Sequence, residues 1–334
     1  MALPTDGRSF NNLVVSTLDD IYDSIYDGFF TTNAAFERLY QRDKTDPGTV
    51  IKFGGGGEIK IPILYNAPTA TSYSTGDTAD TTETEIVTYA VFQWKQAWAP
   101  INISGLKLAQ NRGGSETELF DLIELIAEAS FDSLADLMGT MLYGDGTGNS
   151  GKNWDGLKNG VSVASLYSTY GGITRSSTVG DPGNAINGQV NTTGGVMGKS
   201  LLQNSFGAAT FNRAYPDLIL CQQAQWDEMW ERVEAADRNA PGPLRDVGFN
   251  TIRFNGAEIV ADSHVPSGTV WGLNTKYVKM NFLDGHDFVR RSAVEGFTEG
   301  FPVFNQDMKV DQLIAYGDFT VPGPRYSFQI QNVT

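Results

Sequence analysis

Cysteine is nearly absent from this sequence: Cys221 stands alone, which excludes an intrachain disulfide and a cysteine zinc site. Histidine is almost as scarce. His264 ("ADSHVPSG") and His286 ("LDGHDF") both sit in turn-like contexts, so a histidine metal site needs distant convergence and a third ligand that nothing nearby offers. Positive charge is short as well. With 24 Lys and Arg against 39 Asp and Glu the net charge is -15, which opposes wrapping nucleic acid, where Lys and Arg must neutralise phosphates. No apolar run approaches the length of a membrane span. The start, "MALPTDGRSFNN", lacks the basic-then-apolar pattern of a secretory signal. The expectation is a soluble chain made in the cytosol.

What is present describes a folded protein. A hydrophobic fraction of 40% and an aromatic fraction of 11%, over 334 residues, suffice for two domains or one elaborate one. The 37 glycines predict many turns and long loops.

Two motif mimics fall in "LYGDGTGNSGKNWDGL". Gly146, Gly151 and Lys152 have the spacing of a phosphate-binding loop, with Asn153 where the magnesium-binding hydroxyl belongs. Such a loop needs a strand before it and a helix after it; here a long helical pattern precedes and the turn-rich "NWDGLKNG" follows. A glycine hinge, Gly144, Gly146, Gly148 and Gly151, turning the chain out of the helix and into a sheet, is the better reading. Asp145, Thr147 and Asn149 imitate the start of a calcium loop, but its twelfth position is Gly156 instead of a glutamate, leaving at most a weak cation site with Asp155. Neither histidine follows a nucleophile elbow, Cys221 ends the apolar run "DLILC" as a buried small hydrophobe, and the paired Glu83 and Glu85 alternate onto one solvated strand face. No cofactor, metal or catalytic residue is expected, and the chain is not expected to be an enzyme.

Along the chain, apolar residues from Leu13 to Ile25 fall at helical spacing with Asp19, Asp20 and Asp23 between them, either an ordinary surface helix or an arm laid on another subunit. "TTNAAFERLY" predicts a second short helix. "GGGGEIKIPILY" begins a strand and "ETEIVTYAVFQWKQAWAPINIS" predicts a much longer one, with a polar, Thr-rich tip between them. Such a hairpin could reach about 50 Å, at about 3.3 Å per residue, and is marginal alone, so it lies on its own subunit or, as length and polarity favour, on a neighbour. A capping box at Ser115–Glu118 opens a spine helix, 116–142, that stops at Gly144. A loop region with short strands runs to about Thr192. Then come a helix at "VMGKSLLQNSF", a buried strand at "DLILC" and a helix with Trp226, Met229, Trp230 and Val233 on one side. The strands "IRFNGAEIVADS", "GTVWGLN", "YVKMNF" and "QLIAYGDFTVPGPRYSFQIQNV" close the chain.

That order resembles the major capsid proteins of tailed bacteriophages, the Hong Kong 97-type fold, an α+β class. The closest local likenesses are "YGDGTGNSGKNWDGLKNG" after the spine helix and "FNGAEIVADSHVPSGTVWGLNTKYVKMNF" in the central region. The resemblance implies an N-terminal arm (1–47) and an extended loop (48–104). It further implies a peripheral domain (105–192 and 286–317) holding the spine helix, and an axial domain (193–285 and 318–334). It implies hexamers and pentamers in an icosahedral shell around double-stranded DNA held without sequence specificity, with a portal and scaffolding or decoration proteins as partners. The place implied is the virion, after assembly in the host cytoplasm, with no membrane. Intersubunit contacts are expected from Leu18, Ile21 and Ile25 in the arm and from Tyr65, Tyr73, Asp77, Glu83 and Glu85 in the loop. Two departures matter. No charged, coiled scaffolding segment opens the chain, so a separate scaffolding protein or none, and no maturation cleavage, is expected. No lysine lies between Ile61 and Trp94, so an isopeptide weld from the loop tip is not expected and the shell is non-covalent. The alternatives are an encapsulin-like nanocompartment with enzyme cargo, an unrecognised hydrolase, and a β-rich adhesin or tail component.

Overall fold

The computed structural model describes residues 35, 38, 39, 49–78, 82–110, 122–232, 251–291, 301, 302 and 306–334. In chain order these form β1 (Val50–Phe53), β2 (Ile59–Leu64), β3 (Val87–Phe92), β4 (Lys95–Ser104), α1 (Gly105–Gln110) and α2 (Leu122–Leu142). Next come β5 (Thr169–Tyr170), β6 (Ile173–Thr174), β7 (Gln189–Asn191), α3 (Lys199–Ala209), β8 (Leu218–Cys221) and α4 (Gln223–Arg232). Strands follow, with two 3-10 turns among them (Thr275–Tyr277 and Pro324–Tyr326): β9 (Thr251–Phe254), β10 (Ala257–Ala261), β11 (Val270–Leu273), β12 (Lys279–Leu283), β13 (Val289–Arg290), β14 (Phe301–Pro302), β15 (Met308–Thr320) and β16 (Phe328–Ile330). They belong to two compact units. One contains Ala97–Leu137 and Gly285–Ala315; the other contains Thr32–Gln96, Met138–Asp284 and Tyr316–Thr334.

The larger unit is built on a six-stranded sheet of order β7-β16-β11-β8-β10-β9. β8 and β10 run parallel with α4 in their connection, and β16 runs parallel to β7; the other neighbours are antiparallel. All four residues of β8 are buried, as an unbroken apolar run requires when both faces of a strand are covered. Leu202 and Phe206 of α3, and Trp226 and Met229 of α4, lie three or four residues apart and so share one stripe. Both pairs enter the core that holds Ile259 and Phe328. The β9–β10 hairpin turns on Asn255 and Gly256, whose φ values of +48° and +87° are the left-handed pair that a two-residue hairpin turn takes. In the same unit β1 runs parallel to β12, which pairs antiparallel with β15 from Gly317 to Thr320. Trp154, with no exposed surface, packs there with its ring 5.6 Å from Phe282 and 5.1 Å from Phe319.

In the smaller unit the first part of β15 pairs with β13 and β14, and β4 pairs with β15 as well. Ser130 of α2 shares its hydroxyl between the Ile126 carbonyl at 2.7 Å and the Pro100 carbonyl of β4 at 3.1 Å. Phe131 meets Phe288 edge-on at 5.9 Å.

Three expectations need correcting. The single long strand from about Glu83 to Ser104 is two strands, broken at Gln93 and Trp94. Buried positions are even in β3 (Ala90, Phe92) and odd in β4 (Ala97, Ala99, Ile101, Ile103), so the chain changes face at the break. Strand alternation therefore does not place Glu83 and Glu85: both are exposed but precede β3. The paired part of the hairpin is also short, six residue pairs from Ile59↔Phe92 to Leu64↔Val87, about 20 Å at ~3.3 Å per residue. The spine helix ends at Leu142 where the pattern predicts; the Ser115–Glu118 box lies outside the described residues.

Candidate functional site

Alternation in β2 and β3 divides the hairpin into two unlike faces. On one face Ile59, Ile63, Ala90 and Phe92 are buried against Tyr170 and Ile186 of the same unit. Phe92 meets the Tyr170 ring edge-on at 5.1 Å, and the Tyr170 hydroxyl accepts from the Val321 amide at 2.8 Å. The base of the hairpin thus lies on its own subunit, contrary to the expectation that the ribbon as a whole favours a neighbour. Full burial of a large apolar side chain such as Ile59 or Phe92 stabilises the fold by about 1.5–3 kcal/mol. The opposite face is open and, beyond Lys60 at its base, apolar: Leu64 is 69% exposed beside Val87 at 46%, and Tyr89 is 60% exposed beside Pro62. These were not among the expected contact residues. The signal in the sequence is that, after Lys60, the even positions of "IKIPILY" carry Pro62 and Leu64 where a solvated strand carries polar residues.

Beyond the ladder the tip holds the five expected contact residues. The Tyr65 amide donates to the Ile86 carbonyl at 3.1 Å and its hydroxyl reaches Glu85 at 3.5 Å, closing the neck. Ser74 and Asp77 close a turn, with the Ser74 amide donating to the Asp77 carboxylate at 2.6 Å. Tyr73 is 85% exposed, and Asp77, Glu83 and Glu85 are exposed. At the base, Lys60 faces solvent near Glu58, whereas Lys95 is held by Asp155 at 2.8 Å. Leu18, Ile21 and Ile25 lie outside the described residues. Nearest to them in sequence, Ala35, Arg38 and Leu39 are helical; Ala35 and Leu39 are fully buried.

Asp262, 3% exposed, anchors that helix. One carboxylate oxygen accepts from the Ala35 amide at 3.2 Å and the Tyr143 hydroxyl at 3.0 Å; the other accepts from the His264 amide at 2.9 Å and lies 3.3 Å from its Nδ1. Burial, with Asp262 beside it, pushes the Tyr143 phenol well above its ordinary range. Burial likewise lifts the Cys221 thiol to about 12, the value of an inert core thiol.

The glycine segment is a pinned turn. Gly144 caps α2, its amide donating to Met141 and its carbonyl accepting from Lys158 at 3.1 Å. Gly146 has φ +79°, and a Cβ there would meet the Asp155 carboxylate. Gly148 lies against Asn153, and Gly151 at φ +80° follows the left-handed Asn149 and Ser150. No strand precedes this turn and no long helix follows it, so it presents no phosphate loop. Asp145 is occupied internally: Thr147 donates through its hydroxyl at 2.6 Å and its amide at 3.1 Å, and Tyr167 donates at 3.0 Å. The Thr147 hydroxyl, first among these, holds the Asp145 carboxyl down at about 2. Among the described residues no three His, Cys, Asp or Glu gather as a metal site, and no helix is long and apolar enough to cross a membrane. A groove of about 450 Å³ lies beside this turn, lined by Tyr143, Lys158, Thr269, Trp271 and Gln331 among others.

No family model matches the chain, and no curated protein matches it. Solved structures do. The capsid asymmetric unit of cyanophage A-1(L) aligns with a TM-score of 0.69 at 14% identity, covering 95% of this chain and 97% of that one. The capsid of the native GTA particle aligns with a TM-score of 0.61 at 11% identity, covering 98% and 100%. The SrpI encapsulin of Synechococcus elongatus aligns with a TM-score of 0.60 at 10% identity, covering 98% and 96%. The chain has the fold of phage major capsid proteins.

Proposed function

We propose that this chain is a structural protein, the major subunit of a phage capsid. Copies assemble as hexamers and pentamers into an icosahedral shell enclosing double-stranded DNA. The observation that carries this is the cyanophage capsid likeness, which runs over 95% of the chain. The arm (1–47), extended loop (48–104), peripheral domain (105–192 and 286–317) and axial domain (193–285 and 318–334) are its working parts. A portal and scaffolding or decoration proteins are its further partners. Closed shells need the same contact repeated under symmetry. The open apolar face of Pro62, Leu64, Val87 and Tyr89, with the tip beyond it, suits such a contact because a two-sided ribbon buried on one side gains by burying the other. An excess of 39 acids over 24 basic residues keeps the wall from gripping a genome that must enter and leave.

The test is a chain whose tip, residues 67–84, is replaced by a short Gly-Ser link. It keeps its thermal midpoint as a subunit and fails to form particles. Particles of unchanged size from that variant contradict the reading.

A second reading is favoured by the encapsulin likeness, which covers 98% of the chain. In that case purified particles carry a cargo peptide and no genome, and mass spectrometry together with nuclease-protected DNA separates the two.

A further inference from the structure

Three short segments of the larger unit meet where β8 and β16 begin and β11 ends. Phe211 and Ala214 exchange backbone hydrogen bonds of 3.0 Å around a two-residue turn, with Asn212 at φ +55°, and this lifts Arg213 into solvent. The 3-10 turn Thr275–Tyr277 exposes Lys276, and the 3-10 turn Pro324–Tyr326 exposes Arg325. They are packed together: the Arg325 guanidinium lies 4.0 Å from the Phe211 ring centroid, the Tyr277 and Tyr326 rings stack at 4.6 Å, and Nδ2 of the Asn274 side chain donates to the Tyr215 carbonyl at 2.8 Å. Phe211 and Tyr215 stay 42% and 46% exposed beside the cations. The three segments carry no acid, and the neighbouring Asp217 is engaged by Thr275, whose amide and hydroxyl donate to it at 2.7 and 2.6 Å. On a chain of net charge -15 this is a local reversal of sign with aromatic rings in it.

The same chain carries the complement. From Tyr65 to Ile86 there are four acids, Asp77, Asp80, Glu83 and Glu85, and no Lys or Arg. Tyr73 stands in solvent beside the Ser74–Asp77 turn.

We propose that the acidic hairpin tip of one copy docks on the Arg213, Lys276 and Arg325 surface of a second copy, with Tyr73 seated against Phe211 and Tyr215. This rests on the reading of the hairpin as an intersubunit element. Complementary charge sets register and encounter rate, and the aromatic contact holds the docked tip. Arginine with aromatic rings also attracts single-stranded nucleic acid. Three cations make a small phosphate footprint, however, and in an assembling particle the tip is present at high effective concentration.

The test is a charge exchange on the full chain, read by sedimentation and electron microscopy. Arg213→Glu with Lys276→Glu lowers the assembled fraction about tenfold, as does Glu83→Lys with Glu85→Lys, and the four changes together restore it to within about twofold. Both cations are exposed, so circular dichroism of each variant stays that of the parent; if the reversed pair fails to fold, Arg213→Gln with Lys276→Gln replaces it and loses assembly less steeply with salt than the parent. A parent that assembles with no restoration in the fourfold variant overturns the docking and leaves the shell reading standing. Normal assembly of Arg213→Glu with Lys276→Glu, with less nucleic acid retained, assigns the surface to nucleic acid and also overturns it. A parent that never assembles overturns the shell reading itself.

Discussion

The ammonium of Lys95 sits 2.8 Å from Oδ1 of Asp155, joining the strand that leaves the hairpin to the turn that follows the spine helix. Both side chains are mostly buried, 15% and 23% exposed, so this lysine is committed to its own subunit. Lys60, the other lysine at the hairpin base, pairs with Val91 at the basal end of the ladder, far from the tip. Assembled particles boiled in detergent therefore run on a denaturing gel as monomers alone; a ladder of linked species contradicts a non-covalent shell.

Asp318, fully buried beside that pair, gives stability an unusual slope with pH. Burial, reinforced by the Asp155 charge, raises its carboxyl well above the ordinary range, so the folded chain binds this proton more tightly than the unfolded one. Its contribution is complete below the unfolded value, about 3.9, and is lost as pH rises through the folded value. Asp145 has the opposite sign: held at about 2, it stabilises above the unfolded value and loses that contribution as pH falls toward 2. In thermal melts across pH 2–7, Asp318→Asn gains on the parent as pH rises from 4, because the amide keeps the acceptor that Asp155 and Phe319 amides use at 2.7 and 3.0 Å. Asp145→Asn loses most relative to the parent near neutrality and converges with it in acid. Parallel curves for either variant contradict the assignment.

Two glycines of the turn after α2 are predicted to respond very differently to alanine. A Cβ on Gly156 would lie 2.4–2.7 Å from the carbonyl oxygens of Gly144, Met141 and Leu142, so backbone has to move and Gly156→Ala costs about 3 kcal/mol or more. Gly151 has open space around it and only its φ of +80° to object, so Gly151→Ala costs about 1 kcal/mol. Thermal midpoints of the two variants as subunits check the order; equal effects contradict it.

Arg175 supports the floor on which the hairpin rests. At 5% exposure it donates to the carbonyls of Ile186, Tyr167, Asn159 and Gly160 and to the Asn159 side chain, at 2.6–3.2 Å, and lies 5.2 Å over the Tyr170 ring. Burial lowers its pKa to about 10, and the five donors of a planar guanidinium satisfy what a single ammonium cannot. Arg175→Lys is expected to cost about 3 kcal/mol and to speed hydrogen exchange in β2 and β3. Exchange unchanged there contradicts the supporting role.

Elements whose order comes from local periodicity were legible. "DLILC" reads as a covered strand because the run is unbroken, and α4 reads as a helix because Trp226 and Met229 share its stripe. The break at Gln93 and Trp94 was written in the parity of buried residues but masked by continuous β-branched and aromatic composition. Contacts made by tertiary closure were not legible. Asp262 reaches Tyr143 across 119 positions and Ala35 across 227, and no spacing rule spans that. Arg175 gave no signal because its partners are carbonyls, which every residue carries. The expected tip residues Tyr65, Tyr73, Asp77, Glu83 and Glu85 rest on the capsid resemblance, and the apolar pairs Leu64 with Val87 and Pro62 with Tyr89 need the register.

The central claim is that this polypeptide buries its remaining open surface by assembling with copies of itself. Electron microscopy of the full chain expressed alone, over a range of concentrations, tests it most directly. The account predicts rings of five and six subunits or closed shells that increase with concentration. A uniform population of solitary subunits at every concentration would contradict it.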